Sequence, residues 1–228
     1  MRKIKYKKGR KVHPSTLEYT GSHKDTPTEI QLFVYNADDV TEIQQLHVDE
    51  IQDTIDISKV NWLNIHGLNE PEIIAKIGEK FEADSFIIGD ILNTTKRTKL
   101  EEYHNILFFN VKSLILKDNV LLSFQEKRSD FFTHIRERIR TNSGVVRTKR
   151  ADFLLYLLLD AIIENFYITI ESEEDRVDEI INLSKSSTKP EVLELIEKHR
   201  DNFNFLKRSI IPLRDSLYSI KSMKDDDV

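Results

Sequence analysis

The feature that most constrains this chain is its last third, where two long helical patterns follow each other with almost nothing between them. Asp152–Leu183 reads as one helix and Pro190–Met223 as another, joined by the short polar loop SKSSTK. A loop that short folds the pair into an antiparallel hairpin. The second helix carries an apolar seam at Val192, Ile196, His199, Phe203, Leu206, Ile210, Leu213, Leu217 and Ile220, stepping by four and three in turn. That spacing marks a coiled-coil-like face, and packing within the hairpin is expected to use most of it. Pro212 sits inside the pattern, where it should kink the helix or release a carbonyl. The pattern is still running when the chain ends on MKDDDV, so a piece of a longer protein is expected.

The first part alternates short strands and helices. Glu29–Tyr35 is rich in β-formers, Asp38 and Asp39 introduce a helical pattern through Val40, Ile43 and Leu46, and Trp62–Ile65 reads as a buried strand ended by Gly67. Asn69 is a candidate N-cap, with Pro71 early in a helix running through Phe81. Asp84 is placed to cap FIIGDILN. Ile106–Val111 and Leu114–Phe124 read as strands, the second broken at the turn sequence Lys117-Asp118-Asn119. Such alternation predicts an α/β layer structure. The division expected is an α/β unit over 1–150 and the helical hairpin over 151–228.

Composition closes off several function classes. The 34 basic and 39 acidic residues leave a formal charge of −5, so no global attraction to nucleic acid or anionic lipid follows. Cysteine is absent, which removes disulfides and thiolate metal sites. The basic start MRKIKYKKGRK lacks an apolar run behind it and does not read as a secretory signal. The most apolar stretch, Phe153–Ile163, is interrupted by Asp160, short of the roughly 20 apolar residues a bilayer span needs. No transmembrane segment is expected. Enzyme signatures are missing too: there is no phosphate-cradling glycine loop, no GxSxG and no HExxH. The chain is read as a non-enzyme. Its seven histidines are scattered, and His199 on the seam reads as a satisfied interface residue.

Two charged features remain. At about 100° per residue, Asp160, Glu164, Glu171, Asp175 and Asp178 share one face of the first long helix, opposite Leu155, Leu159, Ile162 and Phe166. Acids four apart repel, and an oxygen-preferring divalent cation would relieve that cost; a solvated acidic face needs no cation. Asp160, between Leu159 and Ala161, is expected to be partly withdrawn from solvent and to need an arginine, an N–H or a metal. The segment Arg136, Arg138, Arg140, Arg147, Lys149 and Arg150 is the candidate for a polyanion. No base-stacking module accompanies it, so these arginines are expected to serve packing and charge balance and no nucleic-acid partner is expected.

Several motifs together resemble the CorA family of magnesium channels: KKGRKVHPSTLEYTG, WLNIHGL at Trp62–Leu68, GDILN at Gly89–Asn93, FQEKRSDFFTHIRERIR, SGVVRTKRADFLLYLLLDAI and RSIIPLRDSL at Arg208–Leu217. The resemblance implies a cytosolic α/β/α sandwich with a mixed sheet and a long antiparallel helical hairpin, leading toward a stalk and two membrane helices around a homopentameric pore. It implies Mg²⁺ as regulatory ligand, with Co²⁺ or Ni²⁺ also conducted, and maps two metal-binding aspartates onto Asp90 and Asp160. It places the domain on the cytoplasmic face of the membrane, attached only through C-terminal helices this sequence lacks. Gly89 stands where related sequences can carry a glutamate. The Gly-Met-Asn pore motif and a stalk aspartate are not in this sequence, and the region near Val111–Leu114 is shorter than the family pattern, as if a hairpin were missing. The alternatives are a zinc or cobalt/nickel carrier of the same family and a soluble polyanion-binding adaptor.

Overall fold

The computed structural model describes residues 17–94, 100–103, 106–109, 113–186 and 190–223. The basic N-terminus, most of the interhelical loop, Val111 and the last five residues lie outside them. Seven strands form one mixed sheet: β1 Glu29–Tyr35, β2 Val40–Ile43, β3 Val60–His66, β4 Leu100–Tyr103, β5 Ile106–Phe109, β6 Leu114–Lys117 and β7 Val120–Gln125, in spatial order β2-β1-β3-β7-β6-β5-β4. Only β3 and β7 run parallel, with Asn61 opposite Val120 and His66 opposite Gln125.

Both central strands are buried along their whole length, because the sheet is covered on both faces. One core joins Ile30, Leu32, Leu63, Ile65, Leu122 and Phe124 to helices α1 (Ile51–Thr54), α2 (Pro71–Lys80) and α3 (Ser85–Leu92). The other joins Phe33, Tyr35, Trp62 and Leu121 to α4 (Thr133–Arg140) and the first half of α5 (Ala151–Ser186). The alternation of side chains along a strand sends odd and even residues to different cores. Trp62 organises the second. Its ring stacks on Phe33 at 5.6 Å and meets Phe132 edge-on at 6.0 Å, while Nε1 donates to Ser123 Oγ at 3.0 Å.

The α/β/α sandwich follows the expected plan, with three local differences. Val40–Ile43 is a strand, antiparallel to β1 with Tyr35 opposite Val40, and not a helix. The cause lies in the turn: the Asn36 side chain accepts from the N–H groups of Asp38 and Asp39 at 3.0 and 2.9 Å, closing a hairpin where two acids had suggested a helix start. The cap of α2 falls at Glu70, not Asn69, with Pro71 in the first turn. Strand β4 carried no signal in its sequence LEEY. Near Val111–Leu114, β5 pairs directly with β6, Phe109 opposite Leu114. The break in Leu114–Phe124 falls at the expected turn, with Asp118 at φ 51°.

Helix α6 (Pro190–Met223) returns along α5 with Pro212 inside it. The direction is antiparallel: Glu173 meets His199, while Phe166 and Ile170 line one groove with Ile210 and Leu213. Among the described residues one helix, Ala151–Lys185, is long and apolar enough to cross a membrane; its Leu154, Leu158 and Ile162 are buried on the sheet. The seam is only partly used. His199, Leu206 and Leu213, seven apart, are buried, whereas Ile196 and Phe203 are 44% and 37% exposed. Val192 and Ile210 are half-buried, so the hairpin uses part of the expected seam and leaves Ile196 and Phe203 open.

Candidate functional site

Asp90 lies in the last turn of α3. The helix forms there because Asp84 caps it, accepting from Phe86 N–H at 2.8 Å, and because Ile87, Ile88, Ile91 and Leu92 are buried in the first core. Asp90 is itself buried. A carboxylate near a helix C-terminus sits at the negative end of the dipole, so a cation beside it is favoured. Gly89 is half-buried, and a Cβ built there meets nothing within 4 Å. The glycine leaves open space next to Asp90.

Asp160 corrects an expectation. Its side chain is exposed, although its neighbours Leu159 and Ala161 are buried. The helix turns by about 100° between consecutive residues, which carries Asp160 off the apolar face. Glu164, Glu171, Asp175 and Asp178 are exposed as well, and the stripe is a solvated acidic face. Asp90 belongs to the layer of α1–α3 and Asp160 to that of α4 and α5, on opposite sides of the sheet. Within one chain they do not meet. No group of three or more metal-ligating side chains gathers among the described residues.

The basic segment divides in the same way. Arg140 forms two hydrogen bonds to Glu42, Nε to Oε2 and Nη2 to Oε1, both at 2.7 Å, also pairs with Glu137, and lies 5.5 Å from the Phe33 ring centre. The guanidinium holds the Glu42 carboxyl below the ordinary carboxylate range. Arg136 is buried and donates to Thr133 Oγ1 at 2.8 Å; Arg147 is buried and its Nε donates to the Asn36 carbonyl at 2.8 Å. Arg138, Lys149 and Arg150 stay in solvent. His199 is satisfied as expected, its Nδ1 lying 2.7 Å from Glu173 Oε2 with both side chains buried.

Sequence reasoning missed a polar ladder across the centre of the sheet. Asn64 Oδ1 accepts from Ser123 Oγ at 2.9 Å and from Gln125 Nε2 at 3.0 Å, Gln125 Oε1 accepts from Ser129 Oγ at 2.7 Å, and Gln31 Nε2 donates to Glu42 Oε1 at 2.8 Å. Its signal was Gln31, Asn64, Ser123 and Gln125 at strand positions that alternate with large apolar residues.

The profile of the family described as "CorA-like Mg2+ transporter protein" matches residues 58–228. This chain belongs to that family. It is 32% identical to the cobalt/magnesium transport protein CorA of Thermotoga maritima over 96% of this chain and 66% of that protein. It is 22% identical to the putative metal ion transporter YfjQ of Bacillus subtilis over 71% of this chain and 54% of that protein. The chain thus spans less than two thirds of either relative. Its fold matches the soluble domain of CorA from Methanocaldococcus jannaschii, with TM-score 0.65 at 17% identity over 83% of this chain and 77% of that one. It also matches the ZntB cytoplasmic domain from Vibrio parahaemolyticus, with TM-score 0.61 at 13% identity over 87% and 81%.

Proposed function

We propose that this chain is the cytosolic regulatory part of a divalent-cation channel of the CorA family, responding to intracellular Mg²⁺ at carboxylate sites between neighbouring copies. Membership of the family carries the reading. The placement of Asp90 and Asp160 supports the intersubunit form. Two carboxylates on opposite outer layers can share an ion only when the α3 face of one copy approaches the α5 face of the next. Such a contact is head-to-tail, and repeated it closes a ring when the rotation between copies is a whole fraction of a turn. The homopentamer, and attachment to the cytoplasmic face through helices beyond this sequence, belong to the same proposal.

Mg²⁺ suits such a seam because it dehydrates reluctantly and keeps several waters, so two carboxylates and a polar rim suffice. Co²⁺ and Ni²⁺ accept the same oxygen ligands. The role of the chain is binding and conformational bias; no catalytic step is proposed. With no glutamate at position 89, the site relies on fewer charges, and weak affinity follows.

The test is a melting curve in MgCl₂ against KCl of equal ionic strength. At ten times the dissociation constant, one site adds about 1.4 kcal/mol. Asp160→Asn, whose side chain touches little else, should reduce the divalent-specific rise, and the double variant with Asp90→Asn should remove it. A rise that persists in the double variant excludes these aspartates as its source.

A further inference from the structure

Strands β3 and β7 are the parallel pair of this sheet, and the chain leaves them in opposite directions. After His66 it passes to α2 on one face; after Gln125 it passes to α4 on the other. The carboxyl ends of two such strands form a topological switch point, the place where open α/β sheets bind ligands. The residues gathered there on the α4 face are polar. His66 closes β3 opposite Glu29 of β1 and Gln125 of β7. Gln125 holds Ser129, whose carbonyl accepts from Arg136 Nη2 at 3.3 Å. Arg128 lies on the β1 side, 3.7 Å from Glu29 and 3.2 Å from Gln44 Oε1.

His66 is 3% exposed, yet neither ring nitrogen makes a hydrogen bond. Leaving a buried polar group unmatched is costly, so a ligand that supplies the match has a reason to bind. The surroundings give its sign. Burial first, then the positive charges of Arg136 and Arg128, push the His66 pKa down to about 4; the Lys127 backbone pulls weakly the other way without reaching hydrogen-bond geometry. Nearby carboxylates are engaged elsewhere, Glu42 by Arg140 and Glu126 by Tyr19. Among the described residues Glu29 pairs with Arg128, at the loose end of ion-pair distance.

We propose that the switch point at the ends of β3 and β7 binds a compact oxyanion of the inorganic phosphate type, with His66, Arg128 and Arg136 as its ligands. His66 donates one ring N–H to the oxyanion, and the arginines supply charge and further N–H donors. The ligand is small because both ring nitrogens of His66 are buried, and Lys127 and Arg128, which follow β7 in the chain, are the exposed basic residues next to it in sequence. Its ligand carries the opposite charge to a cation held by Asp90 and Asp160.

The experiment titrates sodium phosphate into the 228-residue chain against NaCl of equal ionic strength, reading the His66 ring resonances by NMR and the melting temperature. A saturable shift of the His66 ring with a millimolar midpoint is expected. Arg128→Ala, at an exposed side chain that leaves the fold intact, should weaken binding at least fivefold, and His66→Gln should abolish the phosphate-specific rise in melting temperature. A His66 ring that does not move as phosphate is raised through and beyond the millimolar range would overturn the proposal. So would a phosphate response unchanged in both variants, which would put the anion on the surface arginines instead.

Discussion

At the scale of single residues, the titration of His66 and Glu42 makes two predictions. The His66 pKa falls from an ordinary value of 6.5 to about 4 in the folded chain, so below the ordinary value the unfolded chain binds a proton the native one refuses. Stability is complete above that pH and lost as pH falls toward 4, by about 3 kcal/mol for this group. Denaturant unfolding in phosphate-free buffer should show His66→Gln escaping that loss, and equal acid sensitivity in both proteins would refute it. Glu42 behaves as a depressed carboxylate: its contribution is present above its ordinary value and disappears as pH falls through the lowered one. Arg140→Ala removes the bidentate pair and the contact with Phe33, and should cost roughly 1–2 kcal/mol in urea unfolding. A change below about 0.3 kcal/mol, within the spread over which independent substitutions add, would show the pair to be decorative. Neither His66 nor Glu42 gave a signal in the sequence, since their roles depend on strands far apart in it. Asp160 was legible as an acid on a helix face, but the apolar run around it suggested partial burial, and one helical step turns it outward.

At the scale of elements, legibility tracked length and punctuation. Strand β1 and helix α6 were readable to the residue because each carries a sustained pattern with a clear start, at the turn-prone Asp25-Thr26-Pro27 before β1 and at Pro190 heading α6. Strands β2 and β4 were not: four residues carry too little period, and in β2 the hairpin is set by the Asn36 side chain rather than by glycine. Helix α3 was readable from its cap. Replacing Asp84 by Ala leaves the Phe86 N–H without its side-chain acceptor and should cost about 1 kcal/mol, seen as a lower urea midpoint at unchanged slope. Gly89 in the same helix works the other way. With nothing within 4 Å of the place a methyl group would occupy, Gly89→Ala should stabilise by about 1 kcal/mol. Gly89→Glu tests function as well as helix propensity, because it puts a carboxylate into the open space beside Asp90. It should lower the MgCl₂ concentration at which the melting temperature rises, and a midpoint equal to that of Gly89→Ala would mean that the position does not reach the ion.

At the scale of the whole molecule, sequence reasoning reached the sandwich and the hairpin but misjudged what the hairpin leaves uncovered. Its seam buries His199, Leu206 and Leu213 and exposes Ile196 and Phe203, with Leu193, Ile168 and Ile181 also in solvent. A groove of about 500 Å³ between Phe166, Ile170, Leu213 and Tyr218 adds to that surface. Exposed apolar area of this kind favours association. Against it stand the −5 charge of each copy and the acidic face of α5, which repel most strongly where copies would meet. In EDTA at micromolar concentration the balance predicts a monomer or weak oligomer by sedimentation velocity. On the proposed reading, millimolar Mg²⁺ should change it, because an ion bridging the α3 layer of one copy to the α5 layer of the next would remove repulsion and add ligands at once. The weight-average sedimentation coefficient should then rise with MgCl₂, fall back on chelation, and rise less in Asp160→Asn. Phe203→Glu should lower association in EDTA and leave the Mg²⁺ increment in place, separating the apolar contribution from the ionic one. A stable pentamer in EDTA would show that the sandwich and hairpin associate without any ion, and the charge argument would then fail.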